Sequence, residues 1–143
     1  MFFYNAARVA YVANLAAVFW LCLLQSGTKI VSTCNDDRIR IFNTEIVKKG
    51  SNIDASVSIR HNNHTGRWLS NFRAIWDPHG NEVVVVGAMG TRAVEAYYAE
   101  NGKRIAMRTS PDRLTAVPTL NAIHPTLPLV TSATASGRLH LWT

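Results

Sequence analysis

The chain has 143 residues, 48% of them apolar, two cysteines and a formal charge of +6. That length holds one domain, the apolar share supports a buried core rather than a disordered tail, and two cysteines exclude a disulfide framework, so Cys22 and Cys34 read as reduced thiols of an intracellular protein. The positive charge suits a polyanionic partner without selecting one.

Residues 1–26 differ in composition from everything after them. Val9–Leu24 is an apolar run interrupted only by Asn14, and it predicts an atypical, helical N-terminal segment. It is short for a membrane span, and no small-residue cleavage site follows it as a signal peptide requires, so a membrane is not an expected partner. Three readings stay open: a buried or interfacial helix, a membrane anchor or signal, and a non-native leader. Two features favour the last. No clear strand ending in a Pro-Gly turn precedes Gly27. Moreover, Phe19–Gln25 (FWLCLLQ) is what a pyrimidine-rich tract closing in CAG encodes, as at the end of an unspliced intron. On that reading the native sequence begins at Ser26, and 27–143 is the structured domain.

From Gly27 onward the pattern is all-β. Ile30–Cys34 is apolar and β-branched, Asn35-Asp36-Asp37 is a turn cluster, and Arg38–Phe42 resumes the apolar alternation. After a polar loop containing Lys48-Lys49-Gly50, Ser56–Arg60 alternates as a strand. Asn71–Trp76 places Phe72, Ala74 and Trp76 on one face, and Asp77-Pro78-His79-Gly80 is a turn. Val83–Val86 is a continuous β-branched run, which predicts a strand covered on both faces. Val94–Tyr98, an Asn101-Gly102 hairpin turn and Arg104–Arg108 follow. Thr119–His124, Leu129–Ala133 and Leu139–Trp142 complete the strands.

A strand–turn–strand cassette thus occurs three times. Each second strand ends on apolar-x-apolar-aromatic: Ile39-Arg40-Ile41-Phe42, Val94-Glu95-Ala96-Tyr97 and Leu139-His140-Leu141-Trp142. A basic residue stands just before it each time: Arg38, Arg92 and Arg138. Recurrence every ~45–55 residues marks propeller blades. With four strands per blade, this is a partial WD-repeat β-propeller of about two and two-thirds blades, too few to close a ring of roughly four to eight. The chain therefore reads as a fragment, an isoform or part of an assembly.

The string Arg60–Pro78 (RHNNHTGRWLSNFRAIWDP), with GTKIVSTCNDDRIRIF before it and VVVVG after it, resembles the C-terminal part of the WD repeat-containing protein 76 / damage-specific DNA-binding protein 2 family of WD-repeat proteins. The resemblance covers about Ser26 to Thr143 and is strongest over Gly27–Gly87. It implies a nuclear, seven-bladed propeller involved in the DNA damage response, with DNA, including damaged or modified bases, as ligand. It also implies a role as substrate receptor of a cullin-type ubiquitin ligase, through an adaptor protein. In the damage-binding relative a hairpin before an inner strand probes the lesion, and the matching positions here are His64, Thr65, Gly66, Arg67 and Trp68. The usual Trp-Asp ending of the third strand stands here as Phe42-Asn43, Tyr97-Tyr98 and Trp142-Thr143. Trp76-Asp77 is followed by Pro78-His79 rather than by a ligase-docking string.

In a blade the fourth-to-first and second-to-third loops open on one face, and the other loops open on the opposite face. Sorted so, the first face receives Arg38, His61, His64, Arg67, Arg92, Arg113 and Arg138 against Asp36, Asp37 and Asp112. The second receives Lys48, Lys49 and Lys103 against Glu45, Asp54, Asp77, Glu82 and Glu100. Arginine pairs bidentately with phosphate and guanine edges, and Arg67-Trp68 joins a phosphate contact to a stacking surface. The candidate DNA-binding residues are therefore Arg38, His64, Arg67, Trp68, Arg92, Arg113 and Arg138. The plainer reading of each is a solvated loop charge, with Trp68 tucked under its loop. His61 and His64 beside Asn62-Asn63 lack metal-ligand spacing. No catalytic constellation or phosphate-cradling glycine loop is present, so no enzyme activity, cofactor, metal or small-molecule substrate is expected.

Overall fold

The computed structural model describes residues 17–45, 52–66 and 69–143. Among the described residues, eleven strands form three antiparallel sheets. The first holds β1 (Val18–Leu23), β2 (Lys29–Cys34), β3 (Arg38–Asn43) and β4 (Val57–Arg60) in chain order. The second holds β5 (Ile75–Trp76), β6 (Val83–Ala88), β7 (Ala93–Tyr98) and β8 (Arg104–Arg108). The third holds β9 (Pro118–Ile123), β10 (Val130–Thr134) and β11 (Leu139–Trp142). The all-β class and the partial-blade reading agree with this architecture.

The expected helix in the leader is corrected over its described part: 18–23 is a strand, paired with β2 from Val18↔Cys34 to Leu23↔Ile30. A short apolar run suits helix or strand equally by pattern, and tertiary context decides. Here β2 offers an edge of β-branched residues, Cys22 packs against the larger core and the Trp20 ring lies beneath the Arg73 guanidinium at 4.6 Å, while Leu21 and Leu23 stay 58% exposed. The first sheet therefore has all four strands, and the count rises to two four-stranded sheets and one of three. The remainder of the expected helix, 1–16, lies outside the described residues, as do Lys48 and Lys49.

Three inner-strand contacts hold the first two sheets together. The Trp20 indole donates to the Ala74 carbonyl (3.0 Å), the Trp76 indole to the Cys22 carbonyl (2.9 Å), and the Thr33 hydroxyl to the Phe72 carbonyl (2.8 Å). These bonds explain why the strand expected over 71–76 shortens to β5. Carbonyls that would join a ladder are taken by side chains of the first sheet instead. Phe72, Ala74 and Trp76 nevertheless share one buried face, as the alternation predicts.

The run Val83–Val86 is buried throughout. Val84 and Val86 join Val31, Ile39, Ile41 and Phe72 in the larger core, whereas Val83 and Val85 face Ile123 and Trp142 of the third sheet. A strand covered on both faces has no polar side to show, which is why this stretch does not alternate. Gly87 is required where β6 crosses β9: a Cβ there would lie 1.7 Å from the Pro118 carbonyl oxygen.

A candidate nucleic-acid interface

The turn joining β2 to β3 and the loop leaving β4 meet at one end of the first sheet. The His61 amide donates to the Asp37 carbonyl (2.9 Å), and the Asn63 amide to the Asp37 carboxylate (2.8 Å). The Asn63 side chain, buried, donates to the carbonyls of Cys34 and Arg38 (2.8 and 3.0 Å). One asparagine thus closes both ends of the turn, which lets Asp37 adopt the left-handed conformation at φ 57°. Nothing in sequence spacing singled out Asn63. Its only local cue is a short polar residue three positions after a strand.

Two acids of this turn are already engaged. Asp36 pairs with Arg40, which holds its carboxyl below the usual range. The Asn63 amide, and then the His64 ring at 2.9 Å, do the same for Asp37. His64 stands exposed, as expected of a loop residue, but it faces a carboxylate. His61 does not stand on this surface. It is 6% exposed, edge-on to Phe72 at 5.4 Å, with Nδ1 2.7 Å from the Asn63 side-chain oxygen. That corrects its placement on the basic face: the ring is part of the core beneath the loop.

Arg38, Arg92, Arg113 and Arg138 are all exposed; Arg38 opens β3 and the other three lie on turns and loops of this end. Arg38 donates to the Ser58 hydroxyl (3.1 Å) and Arg138 to that of Thr115 (3.5 Å). None of the four has a carboxylate partner among the described residues. Arg113 and Arg138 line one cleft of about 590 Å³ between the loop after β8 and strand β11. Arg92 is one position out of step. It takes φ 47°, the conformation that Asp37 and Gly137 hold in the other two turns, because Gly90-Thr91 lengthens its turn. Arg67 and Trp68 lie outside the described residues.

The opposite end differs. Lys29 pairs with Glu82 across the first two sheets. Asp77 accepts from His79 and Asn81 and closes its own turn. Trp76-Asp77 is therefore structural here, with Trp76 buried at 7% exposure.

No family model matches the chain. WD repeat-containing protein 76 of Xenopus laevis is 38% identical over 117 residues, covering 82% of this chain and 20% of that protein. DNA damage-binding protein cmr1 of Neurospora crassa is 37% identical over 128 residues, covering 82% and 24%. The chain is a homologue of these WD-repeat proteins. It spans about a fifth to a quarter of their length. Among solved structures, the β-propeller domain of Cps50 (Swd1) from Myceliophteria thermophila superimposes with a TM-score of 0.66 at 17% identity, over 87% of this chain and 37% of that one. The three sheets are thus blades of a WD-repeat β-propeller.

Proposed function

We propose that the chain contributes part of a DNA-binding surface to a nuclear WD-repeat protein of the DNA damage response. The observation that carries this is the set Arg38, Arg92, Arg113 and Arg138: four guanidinium groups at one end of the blades, none ion-paired with a carboxylate among the described residues, while Asp36 and Asp37 are spent on neighbours. A homologue's name, DNA damage-binding protein, supports the same reading. His64 is exposed on the loop after β4, and Arg67 and Trp68, which follow it in the sequence, join the proposal by residue type alone, arginine for a phosphate and tryptophan for stacking on an exposed base. Guanidinium groups contact phosphate oxygens without regard to sequence, so binding is chiefly electrostatic.

A salt titration tests this. If the four arginines each neutralise one phosphate, the logarithm of affinity for a duplex falls linearly with the logarithm of salt, with a slope of about −3.6. Each alanine replacement should reduce that slope by about one. A second reading is favoured by Leu139 and Leu141, which stand 77% and 68% exposed beside Arg138. Such a surface suits a protein-interaction scaffold, or a substrate receptor that meets a cullin-type ubiquitin ligase through its adaptor. A scaffold gives no duplex binding at low salt, and alanine at Leu139 and Leu141 then weakens capture of the adaptor.

A further inference from the structure

The loop leaving β8 carries the string Arg108-Thr109-Ser110-Pro111-Asp112-Arg113. It is anchored at both ends: the Thr109 hydroxyl donates to the Arg92 carbonyl (3.4 Å), and Leu114 is buried at 1% exposure. Between them the Ser110 carbonyl accepts the amides of Arg113 (3.1 Å) and Leu114 (2.7 Å), so the segment is a built turn. Pro111 restricts Ser110 to extended conformations, the shape in which a hydroxyl and its flanking backbone can enter an enzyme's groove. Ser110 also lines the cleft of about 590 Å³ that holds Arg113 and Arg138. The charges of that cleft are those two arginines and Asp112, beside the His140 ring. Its net charge is one positive, and neither arginine has a carboxylate partner among the described residues.

The geometry points to Ser110 as a phosphorylation site for a proline-directed protein kinase, whose product phosphate is held by Arg113 and Arg138 and closes that part of the surface to nucleic acid. The Ser110 Oγ attacks the γ-phosphorus of a nucleoside triphosphate on the kinase. An O–P bond forms as the bond to the β-phosphate oxygen breaks, the hydroxyl proton passes to the kinase, and a nucleoside diphosphate leaves. A phosphoserine carries about −1.5 to −2 charge at pH 7 and three acceptor oxygens, and opposite arginines it forms charge-assisted hydrogen bonds. It turns the cleft from a net cation into a net anion. Its effect on DNA rests on the DNA-binding reading above; capture of the phosphate by the arginines does not.

The test treats this chain with a proline-directed kinase and ATP, maps the modified residue by mass spectrometry, follows the phosphate by 31P NMR against pH, and measures duplex affinity at low salt before and after. Expected are phosphate on Ser110 and none in S110A, which binds duplex like the parent. The phosphate should titrate below the value of ~6 usual for phosphoserine, and return to it in R113A/R138A. Duplex affinity should fall on the order of tenfold after phosphorylation. Failure of the folded chain to accept phosphate at Ser110, while the same string is modified as a peptide, overturns the proposal, as does an unshifted titration. Equal duplex affinity with and without phosphate overturns the switch. If the unmodified chain binds no duplex, the DNA reading falls alone, and the NMR titration still decides the capture.

Discussion

The junction between the first and second sheets and that between the second and third use the same kind of strand and reach different ends. At the first, Phe72, Trp76, Val84 and Val86 pack on Val31, Ile39 and Ile41, two indoles cross-bond to facing carbonyls, and Lys29 pairs with Glu82. At the second, the buried cluster shrinks to Val83, Val85 and Val94, with Ile123 and Trp142 only partly covered. The Ser70 and Thr119 hydroxyls meet there at 2.6 Å, and Gly87 lets two backbones touch, but a cleft of about 530 Å³ remains between Ala106 and Arg108 on one side and Val130 and Trp142 on the other. The first two sheets share one core drawn from β2, β3 and β4 on one side and from β5, β6 and β7 on the other, while β8 is exposed along its whole length. The third sheet reaches the second through Ile123 of β9 and Trp142 of β11.

The largest effect should come from the closed junction. Phe72→Ala removes a fully buried ring and should cost about 3–5 kcal/mol, read as a lower urea midpoint. A loss no greater than that of a surface substitution would mean this junction is not the main core. Gly87→Ala probes the other junction by forcing a methyl group against the Pro118 carbonyl, for about 1–3 kcal/mol. A cost matching Phe72→Ala would show the open junction to be as rigid as the closed one. Tyr97→Phe should cost about 1–2 kcal/mol in the same titration, because the buried Glu95 carboxylate loses the phenol at 2.6 Å and keeps only Arg104.

Tyr97 also gives the closed junction a pH signature. Burial first, and then Glu95, push its phenol well above the ordinary value. A raised folded pKa means a stabilisation fully present below pH ~10 and lost as pH rises toward the folded value. Thermal midpoints should fall above pH 10, and Tyr97→Phe should flatten that fall. The smallest effect is at the rim. Asp37, with its depressed carboxyl, contributes stability that is present above pH ~4 and lost as pH falls through its folded value. It is well exposed, so the change is slight, and local hydrogen exchange at His61 and Asn63 reports it better than a global midpoint. The third sheet has Gly137 at the equivalent place and should show no such acid response.

Much of this was legible in the sequence. The strand–turn–strand cassettes rest on local chemistry, namely β-branched runs closed by Asn, Asp and Gly, and they fall where the alternation puts them. Val83–Val86 announces its two-sided burial by lacking a polar face. The failures have a common cause: each depends on a packing or hydrogen-bond partner that a residue pattern does not reveal. Val18–Leu23 becomes a strand because β2 needs an edge partner. Residues 71–74 leave the ladder because Trp20 and Thr33 claim their carbonyls. His61 turns inward because Phe72 offers an edge and Asn63 a hydrogen bond. The loop arginines are visible in the sequence, but the pairing that engages Asp36 with Arg40 and Asp37 with Asn63 and His64 emerges only in three dimensions.

The outer margin of β11 carries one more consequence. Its amides and carbonyls facing away from β10 have no neighbouring strand among the described residues, and Leu139 and Leu141 flank them. Such a margin is half of a zipper, and any extended segment of matching length can supply the other half. Solutions of this chain should therefore self-associate as they are concentrated, and a lysine in place of Leu141 should keep them dispersed.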